Sequence, residues 1–191
     1  MPPKVKFSKE QIVSAALDIV REQGITALTA RAVADKLNCS VAPVFSVFAN
    51  MDELREEVIR QAKSVYDGYI EEGLKQVLPF KGVGLKYIEF AKKEPNLFRV
   101  LFMSDYSFGL DKFMLLDKNN EAIVNALMNC WSVDRKTADA LHQDIMIYTH
   151  GIAVMCATKS CDFSDDEISE RLTFAFMSML KQVKEVKNDK N

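Results

Sequence analysis

The side chains that most often carry out catalysis or bind metals do not form a recognisable pattern in this sequence. His142 and His150 are eight residues apart and lack the His-Glu-x-x-His spacing that places two zinc ligands on one helix face. Gly82-Val83-Gly84 lacks the third glycine and the preceding strand of a dinucleotide-binding loop. Cys156 and Cys161 do not have CxxC spacing. We therefore expect a protein that is not an enzyme and that binds neither a metal nor a cofactor.

A different chemistry, contact with the edges of DNA bases, is indicated by residues 30–47, which have the spacing of a helix–turn–helix. Ala34 is small enough to lie where two helices cross, and Asn38 tolerates the left-handed backbone that a tight turn requires. Ser40 is expected to cap the second helix, and Pro43 is tolerated in its first turn. The positions expected to face inward are Val33, Leu37, Cys39, Val44, Val47 and Phe48. An ordinary helical hairpin has the same spacing and is the alternative.

Helix-start and helix-stop signals indicate the elements that hold this pair of helices in place. Ser8-Lys9-Glu10-Gln11 is a capping-box start, and Gly24 ends the helix that it begins. Thr29 is placed to cap the next helix. Asn50, with Glu53 three residues later, begins a further helix. The expected result is a compact three-helix unit at the start of the chain.

The rest of the sequence has helical rather than alternating periodicity, so we expect an all-α protein with about nine helices. The later helices are predicted over residues 51–77, ending before Pro79, and then over residues 81–93, 96–103, 110–128 with a break near Asp117, 135–158 and 164–186.

The N-terminal pattern resembles that of the TetR/AcrR family of transcriptional regulators. The matching segments are Ile12-Val13-Ser14-Ala15-Ala16, Gly24-Ile25-Thr26-Ala27-Leu28-Thr29, Val33-Ala34-Asp35-Lys36-Leu37, Ser40-Val41-Ala42-Pro43-Val44-Phe45, and Phe48 followed by Asp52-Glu53-Leu54, with Tyr148-Thr149-His150-Gly151-Ile152-Ala153 further on. The resemblance implies that residues 1–50 form a helix–turn–helix domain that binds double-stranded DNA. It also implies that residues 51–191 form a helical domain that binds an effector and dimerises.

The resemblance implies a ligand-responsive regulator, with repression favoured over activation, that binds a palindromic operator as a homodimer and is released by a small hydrophobic effector. We expect half-sites about one DNA turn, roughly 34–36 Å, apart. The alternative is a helical ligand-binding or protein-interaction module whose DNA-binding head is degenerate. Weak basic charge motivates that alternative. The net charge of the chain is −2, and the six basic side chains of residues 1–50 are offset by four acidic ones.

The residues expected to contact DNA follow from the family pattern, position by position. On the second helix of the pair they are Ser40, Val41, Ala42, Pro43, Phe45 and Ser46. Contacts with the DNA backbone, which orient the protein on the duplex, are expected from Thr29, Arg31, Lys4 and Lys6. Apolar side chains at the start of that helix suit thymine methyl groups in the major groove.

Aromatic and methionine side chains of the second half suit either a core or an adaptable pocket, and core packing is the alternative for each. The candidates to line a pocket are Tyr66, Tyr87, Phe90, Phe98, Phe102, Phe113, Trp131, Met146, Tyr148, His150 and Met155. Residues 145–157 are apolar on all sides except at Thr149 and His150, so a second surface must cover them. The expected dimer interface is Ile152, Leu172, Ala175, Phe176, Met179 and Val183, which would form a four-helix bundle with the partner.

Cysteine spacing and hydropathy indicate the compartment. The four cysteines have no disulfide-framework spacing, and residues 1–9 are polar. The longest apolar stretch, residues 145–157, is too short to span a bilayer. We expect a reduced, cytoplasmic protein with no signal peptide and no membrane contact.

Overall fold

A computed structural model describes residues 7–104 and 117–188 of the 191-residue chain, with side chains described as far as residue 185. These residues form nine α-helices and no β-strand, as the sequence predicted. The helices are α1 (Lys9–Gln23), α2 (Ala30–Lys36), α3 (Ala42–Val47), α4 (Met51–Leu74), α5 (Pro79–Lys93), α6 (Pro95–Phe102), α7 (Asn120–Trp131), α8 (Arg135–Ala157) and α9 (Asp165–Asn188). No helix among them is both long and apolar enough to cross a membrane.

The helix boundaries show how local signals act. Pro79 is the first residue of α5, earlier than the predicted start at residue 81, because proline fits the first turn of a helix. Residues 117–119 are not helical, which is consistent with the predicted break near Asp117; the Asp117 carboxylate accepts the N–H of Asn119 at 2.8 Å in a turn before α7. The part of that predicted helix before residue 117 lies outside the described residues.

The described residues form two compact units, the first of residues 7–65 and 94–104 and the second of residues 66–93 and 117–188. The first unit therefore contains α1 to α3, the beginning of α4 and the whole of α6. This division by packing takes in more of the chain than residues 1–50, the segment predicted to bind DNA.

The first unit has its core under one face of α1. Ile12, Ala16 and Val20 on that face are fully buried, and Leu28, Phe48 and Val58 are also buried in this unit. Polar contacts attach α6 to the end of α1. The Arg21 guanidinium donates to the Glu94 carboxylate at 2.8 Å, and the Asn96 side-chain amide donates to the carbonyl of Arg21 at 2.9 Å.

The second unit is built around α8, which packs against α5, α7 and α9. Asp134 caps α8 by accepting the N–H of Thr137 at 2.8 Å, and Ser164 forms a capping box with Glu167 at the start of α9, both as predicted. Two glycines bring the end of α4 against the start of α5. A Cβ atom on Gly82 would lie 2.3 Å from the carbonyl oxygen of Gly73.

Candidate DNA-binding surface and apolar cavity

The helix–turn–helix forms as its spacing predicts. The Thr29 hydroxyl accepts the N–H of Ala32 at 3.1 Å and so caps α2. Asn38 has φ 57°, the left-handed conformation expected of the turn. The N–H of Cys39 donates to the carbonyl of Ala34 at 2.9 Å, which closes the end of α2. The turn is therefore fixed by backbone hydrogen bonds that involve only neighbouring residues.

The start of α3 differs from the prediction. Ser40 does not cap the helix, because α3 begins at Ala42 and the preceding residue is Val41, in a helical conformation with φ −70° and ψ −15°. The N–H of Val44 donates to the Val41 carbonyl at 3.1 Å, so the turn leads into the helix without a side-chain cap. Pro43, in the first turn, is tolerated as expected.

The two sides of α3 differ sharply in exposure. Val44 and the following Phe48 are buried, as is Val33 on α2. On the opposite side, Val41 is 42% exposed and Phe45 is 49% exposed. The remaining predicted inward positions, Leu37, Cys39 and Val47, are only partly buried. In the described chain, the outer side of α3 is therefore open to solvent and is partly apolar.

Most residues predicted to contact DNA lie at the surface of the first unit. Thr29, Arg31, Ser40, Val41, Ala42, Phe45 and Ser46 are exposed, Pro43 is partly buried, and Lys4 and Lys6 lie outside the described residues. The Arg31 side chain is 90% exposed and reaches Asp35 only at 4.0 Å, so it is free to reorient toward a phosphate. The Ser46 hydroxyl donates to the Pro43 carbonyl at 2.7 Å and retains acceptor capacity.

The second unit contains a partly open apolar cavity of about 150 Å³ among α5, α7, α8 and α9. Of the predicted pocket residues, Tyr87, Trp131 and Met146 line it. The other described lining residues are Leu78, Phe80, Lys81, Val83, Gly84, Cys130, His142, Ile145, Thr149, Leu172, Thr173, Phe176 and Met177. None of the described lining residues is acidic.

Aromatic rings form one part of the cavity wall. The ring centroid of Phe80 lies 6.0 Å from that of His142 and 5.2 Å from that of Phe176, and Trp131 lies 5.2 Å from Phe176. Burial lowers the pKa of His142 below its ordinary value. The imidazole therefore remains neutral at physiological pH, and this wall presents apolar and weakly polar surface to a ligand.

A small polar region adjoins the apolar wall. A hydrogen bond of 2.9 Å joins the Tyr87 hydroxyl to Nδ1 of His150, and the Tyr66 hydroxyl donates to Asp117 at 3.0 Å. Burial raises the pKa of both tyrosines well above the ordinary value, so both hydroxyls keep their protons. Tyr66, Tyr87 and Met146 also line a second, much smaller cavity of about 20 Å³.

The other predicted pocket residues lie elsewhere. Phe90 is fully buried and packs edge-on against Tyr66, with ring centroids 5.7 Å apart. Phe98 and Phe102 pack against each other in the first unit and do not line the cavity. Phe113 lies outside the described residues; Tyr148 is half-buried and Met155 is exposed. Residue type and helical spacing predicted that these side chains face inward. They could not show which of them pack in the core and which line a cavity.

Comparison with known proteins identifies the N-terminal unit. Residues 12–58 match the family described as "Bacterial regulatory proteins, tetR family". Residues 12–58 are therefore similar to the N-terminal domain of TetR-family regulators. It is 20% identical over 183 residues, 94% of each chain, to YobS of Bacillus subtilis (strain 168), described as an uncharacterized HTH-type transcriptional regulator. The helix–turn–helix within the matched segment is thus a DNA-binding unit.

Two solved structures have the same fold. One is a TetR variant from Acinetobacter baumannii AYE in complex with minocycline, with 15% identity, a TM-score of 0.59, and coverage of 95% of this chain and 98% of that one. The other is a TetR-like transcriptional regulator from Rhodococcus sp. RHA1, with 13% identity, a TM-score of 0.61, and coverage of 95% and 97%. The TetR fold therefore extends over nearly the whole chain.

The predicted dimer interface needs correction at four positions. Ile152, Leu172, Ala175 and Phe176 are buried within the single chain, so they cannot also be the face offered to a partner. Met179 and Val183 are half-buried and pack against the same core. The apolar stripe predicted on α9 is present, but it faces the core of its own chain.

In the part of the chain that the structure describes, exposed apolar side chains remain on both α8 and α9. Ile147 on α8 is 57% exposed and Phe174 on α9 is 76% exposed. Gly151 and Met155 follow Ile147 at four-residue intervals along the exposed side of α8. The space above Gly151 is open, with no described atom within 4 Å of a Cβ built there. This set, which we call the outer face, consists of Ile147, Gly151, Met155 and Phe174.

Proposed function

We propose that this TetR-family regulator is a ligand-responsive repressor that binds a palindromic operator as a homodimer and is released by a small hydrophobic effector. The observation that carries this proposal is the apolar cavity within the second unit. A partly open apolar cavity of about 150 Å³ can take up the apolar surface of a small molecule and remove it from water.

The composition of the cavity supports the class of effector. Its described lining holds no carboxylate, and its only cationic side chain is the half-buried Lys81. A neutral His142 and several aromatic rings make the remainder weakly polar or apolar. A neutral or anionic apolar molecule therefore fits better than a cationic one. The complex of a protein of the same fold with minocycline supports small-molecule binding in general.

The connection between effector and DNA runs through α4 in this proposal. Helix α4 contributes residues 51–65 to the first unit and residues 66–74 to the second. A ligand that binds more tightly to one tilt of residues 66–74 would favour that tilt. Because residues 51–65 continue the same helix, the ligand would also shift the population of DNA-binding and non-DNA-binding arrangements of the first unit. Release from DNA requires that the ligand bind the non-DNA-binding arrangement more tightly.

Exposed apolar surface supports the homodimer. The outer face presents Ile147 and Phe174 to solvent, and the chain has no other described element that covers them. Pairing of this face with its copy would bury both side chains, and Gly151 would allow the two α8 helices to approach closely. Two α8 and two α9 helices would then form a four-helix bundle.

The test uses a labelled duplex from the chain's own upstream region and follows its anisotropy on binding. A panel of neutral, anionic and cationic apolar compounds is then added to the complex. We expect release by at least one neutral or anionic member. Thr173→Trp places a bulky ring at the exposed edge of the cavity and should abolish this release, whereas Thr173→Ala should preserve it. Release that persists in Thr173→Trp would contradict the role of the cavity.

One sequence feature favours the alternative of a degenerate DNA-binding head. No lysine or arginine occurs in residues 37–54, which include all of α3. Phosphate contacts supply most non-specific DNA affinity, so their scarcity weakens binding. The same anisotropy measurement decides the matter, because a failure to bind the upstream duplex even at low salt would establish the ligand-binding module without DNA recognition.

A further inference from the structure

Two cysteine side chains of the second unit lie in direct contact. Sγ of Cys156, in the last turn of α8, is 3.9 Å from Sγ of Cys161, in the connection to α9. Both residues are partly accessible and both are free thiols. The regulator function proposed above makes no use of this pair.

The backbone, rather than a chance side-chain orientation, brings the two thiols together. Lys159 has φ 57°, which reverses the chain directly after α8. The N–H groups of Lys159 and Ser160 donate to the carbonyls of Cys156 at 3.1 Å and Met155 at 2.9 Å. This hydrogen-bonded C-cap holds Cys161 beside the last helical turn. Closure of a loop this short therefore costs little further conformational entropy.

The thiol pair is accessible to small reagents. Both cysteines line an open surface groove together with Lys92, Lys159, Ser160, Asp162 and Phe163. Lys92 donates to Asp165 at 2.6 Å; the charge of Lys92 favours the Cys156 thiolate, whereas that of Asp165 opposes it. A small disulfide reagent can reach the sulfur atoms through the open groove.

We propose that Cys156 and Cys161 are a modification site at which a low-molecular-weight disulfide oxidises the two thiols to an intramolecular disulfide. One cysteine loses its proton, and its thiolate attacks the reagent disulfide, forming a mixed disulfide and expelling one reagent thiolate. The second cysteine loses its proton and attacks the protein sulfur of the mixed disulfide, expelling the second reagent thiolate. The protein loses two electrons and two protons, and the reagent becomes two thiols. The sulfur atoms approach by about 2 Å to reach bonding distance.

The rate of this exchange should depend on pH. Burial, followed by the contact with Cys161, raises the pKa of the Cys156 thiol to about 11. At pH 7 only a very small fraction of Cys156 is thiolate. As long as the pH stays below that pKa, this fraction rises about tenfold with each unit of increase in pH. Oxidation should therefore accelerate between pH 7 and pH 9. The raised pKa also makes Cys156 a poor leaving group, which slows reduction of the bond once it has formed.

The experiment incubates the purified full chain with glutathione disulfide and counts free thiols in denaturant, with peptide mass mapping of the products. The chain has four cysteines. We expect the peptide pair that contains Cys156 and Cys161 to lose two hydrogen atoms without gaining glutathione, whereas the exposed Cys130 can only gain a glutathione. Dithiothreitol should restore all four thiols.

Serine variants provide the controls. In Cys156→Ser or Cys161→Ser the remaining thiol has no partner, so it should retain one glutathione as a stable mixed disulfide. The double variant Cys39→Ser/Cys130→Ser keeps the pair and should still form the intramolecular bond. Persistence of four free thiols, separate glutathione adducts on both cysteines of the pair, or a bond mapped to Cys39 or Cys130 would each overturn the proposal.

Discussion

Arg31 and Phe45 show how single side chains divide the work expected of the DNA-binding surface. Arg31 is almost fully exposed on α2 and has one distant acidic neighbour. Phe45 presents half of its surface on the outer side of α3. A cation contacts phosphates, which are the same for every sequence, whereas an apolar side chain distinguishes thymine by its methyl group.

Arg31→Ala should weaken binding to the operator and to unrelated duplexes by the same factor, roughly tenfold or about 1.4 kcal/mol. The salt dependence should also become shallower, by about 0.9 in the log–log slope for each Arg31 that contacts a phosphate. Anisotropy titrations over a range of salt concentrations measure both effects. Lys181→Ala, an exposed change on α9, is the matched control. A loss confined to particular base pairs would show that Arg31 reads bases.

The two histidines should make stability depend on pH between 7.5 and 5.5. Burial lowers the pKa of both His142 and His150 in the folded state. As pH falls below the unfolded value of about 6.5, the unfolded chain binds protons first, and the free energy of unfolding decreases. We expect Tm to fall over this interval, and to fall less in His142→Gln and least in His142→Gln/His150→Gln. An equal decrease in wild type and the double variant would contradict this origin.

At the scale of elements, the crossing of α4 and α5 depends on glycine for space rather than for an unusual backbone. A Cβ on Gly73 would lie 2.7 Å from the backbone of Val83, closer than side chains tolerate. Gly68, on the same helix, is exposed and has no described atom within 4 Å of such a Cβ. Substitution by alanine should therefore affect stability differently at Gly73 and at Gly68.

Gly73→Ala should destabilise the protein by about 1–3 kcal/mol, because the added methyl group forces α4 and α5 apart. Gly68→Ala should stabilise it by about 0.5–1 kcal/mol, since alanine has the higher helix propensity and meets no neighbour. Urea unfolding measures both changes on the same helix. The same sign for both variants would show that the close approach of α4 and α5 does not constrain position 73.

The elements also show which signals are readable locally. The caps at Ser8, Thr29 and Asp134 and the left-handed Asn38 were predicted because each depends on residues within four positions in sequence. Ser40 was wrongly predicted as a cap. Its hydroxyl is a suitable acceptor, but the geometry of the preceding turn delays the helix until Ala42.

At the scale of the whole molecule, association should depend on the outer face. Phe174→Glu and Ile147→Glu each place a charge where the partner is proposed to pack, so both should convert the dimer to a monomer at micromolar concentration. Val77→Glu is the matched control, because Val77 is 98% exposed and lies outside this face. Sedimentation equilibrium measures the mass of each variant. A dimer unaffected by either glutamate would place the interface elsewhere.

The sequence by itself determined the helix–turn–helix and the all-α class, because caps, turns and helical periodicity act between residues close together in the chain. Only the tertiary structure decided which stripe of α9 faces its own core, since periodicity marks an apolar face without naming what covers it. Leu172 and Phe176 therefore line the cavity instead of the outer face. The cavity is assembled from four helices distant in sequence, and its volume depends on packing that no single segment encodes.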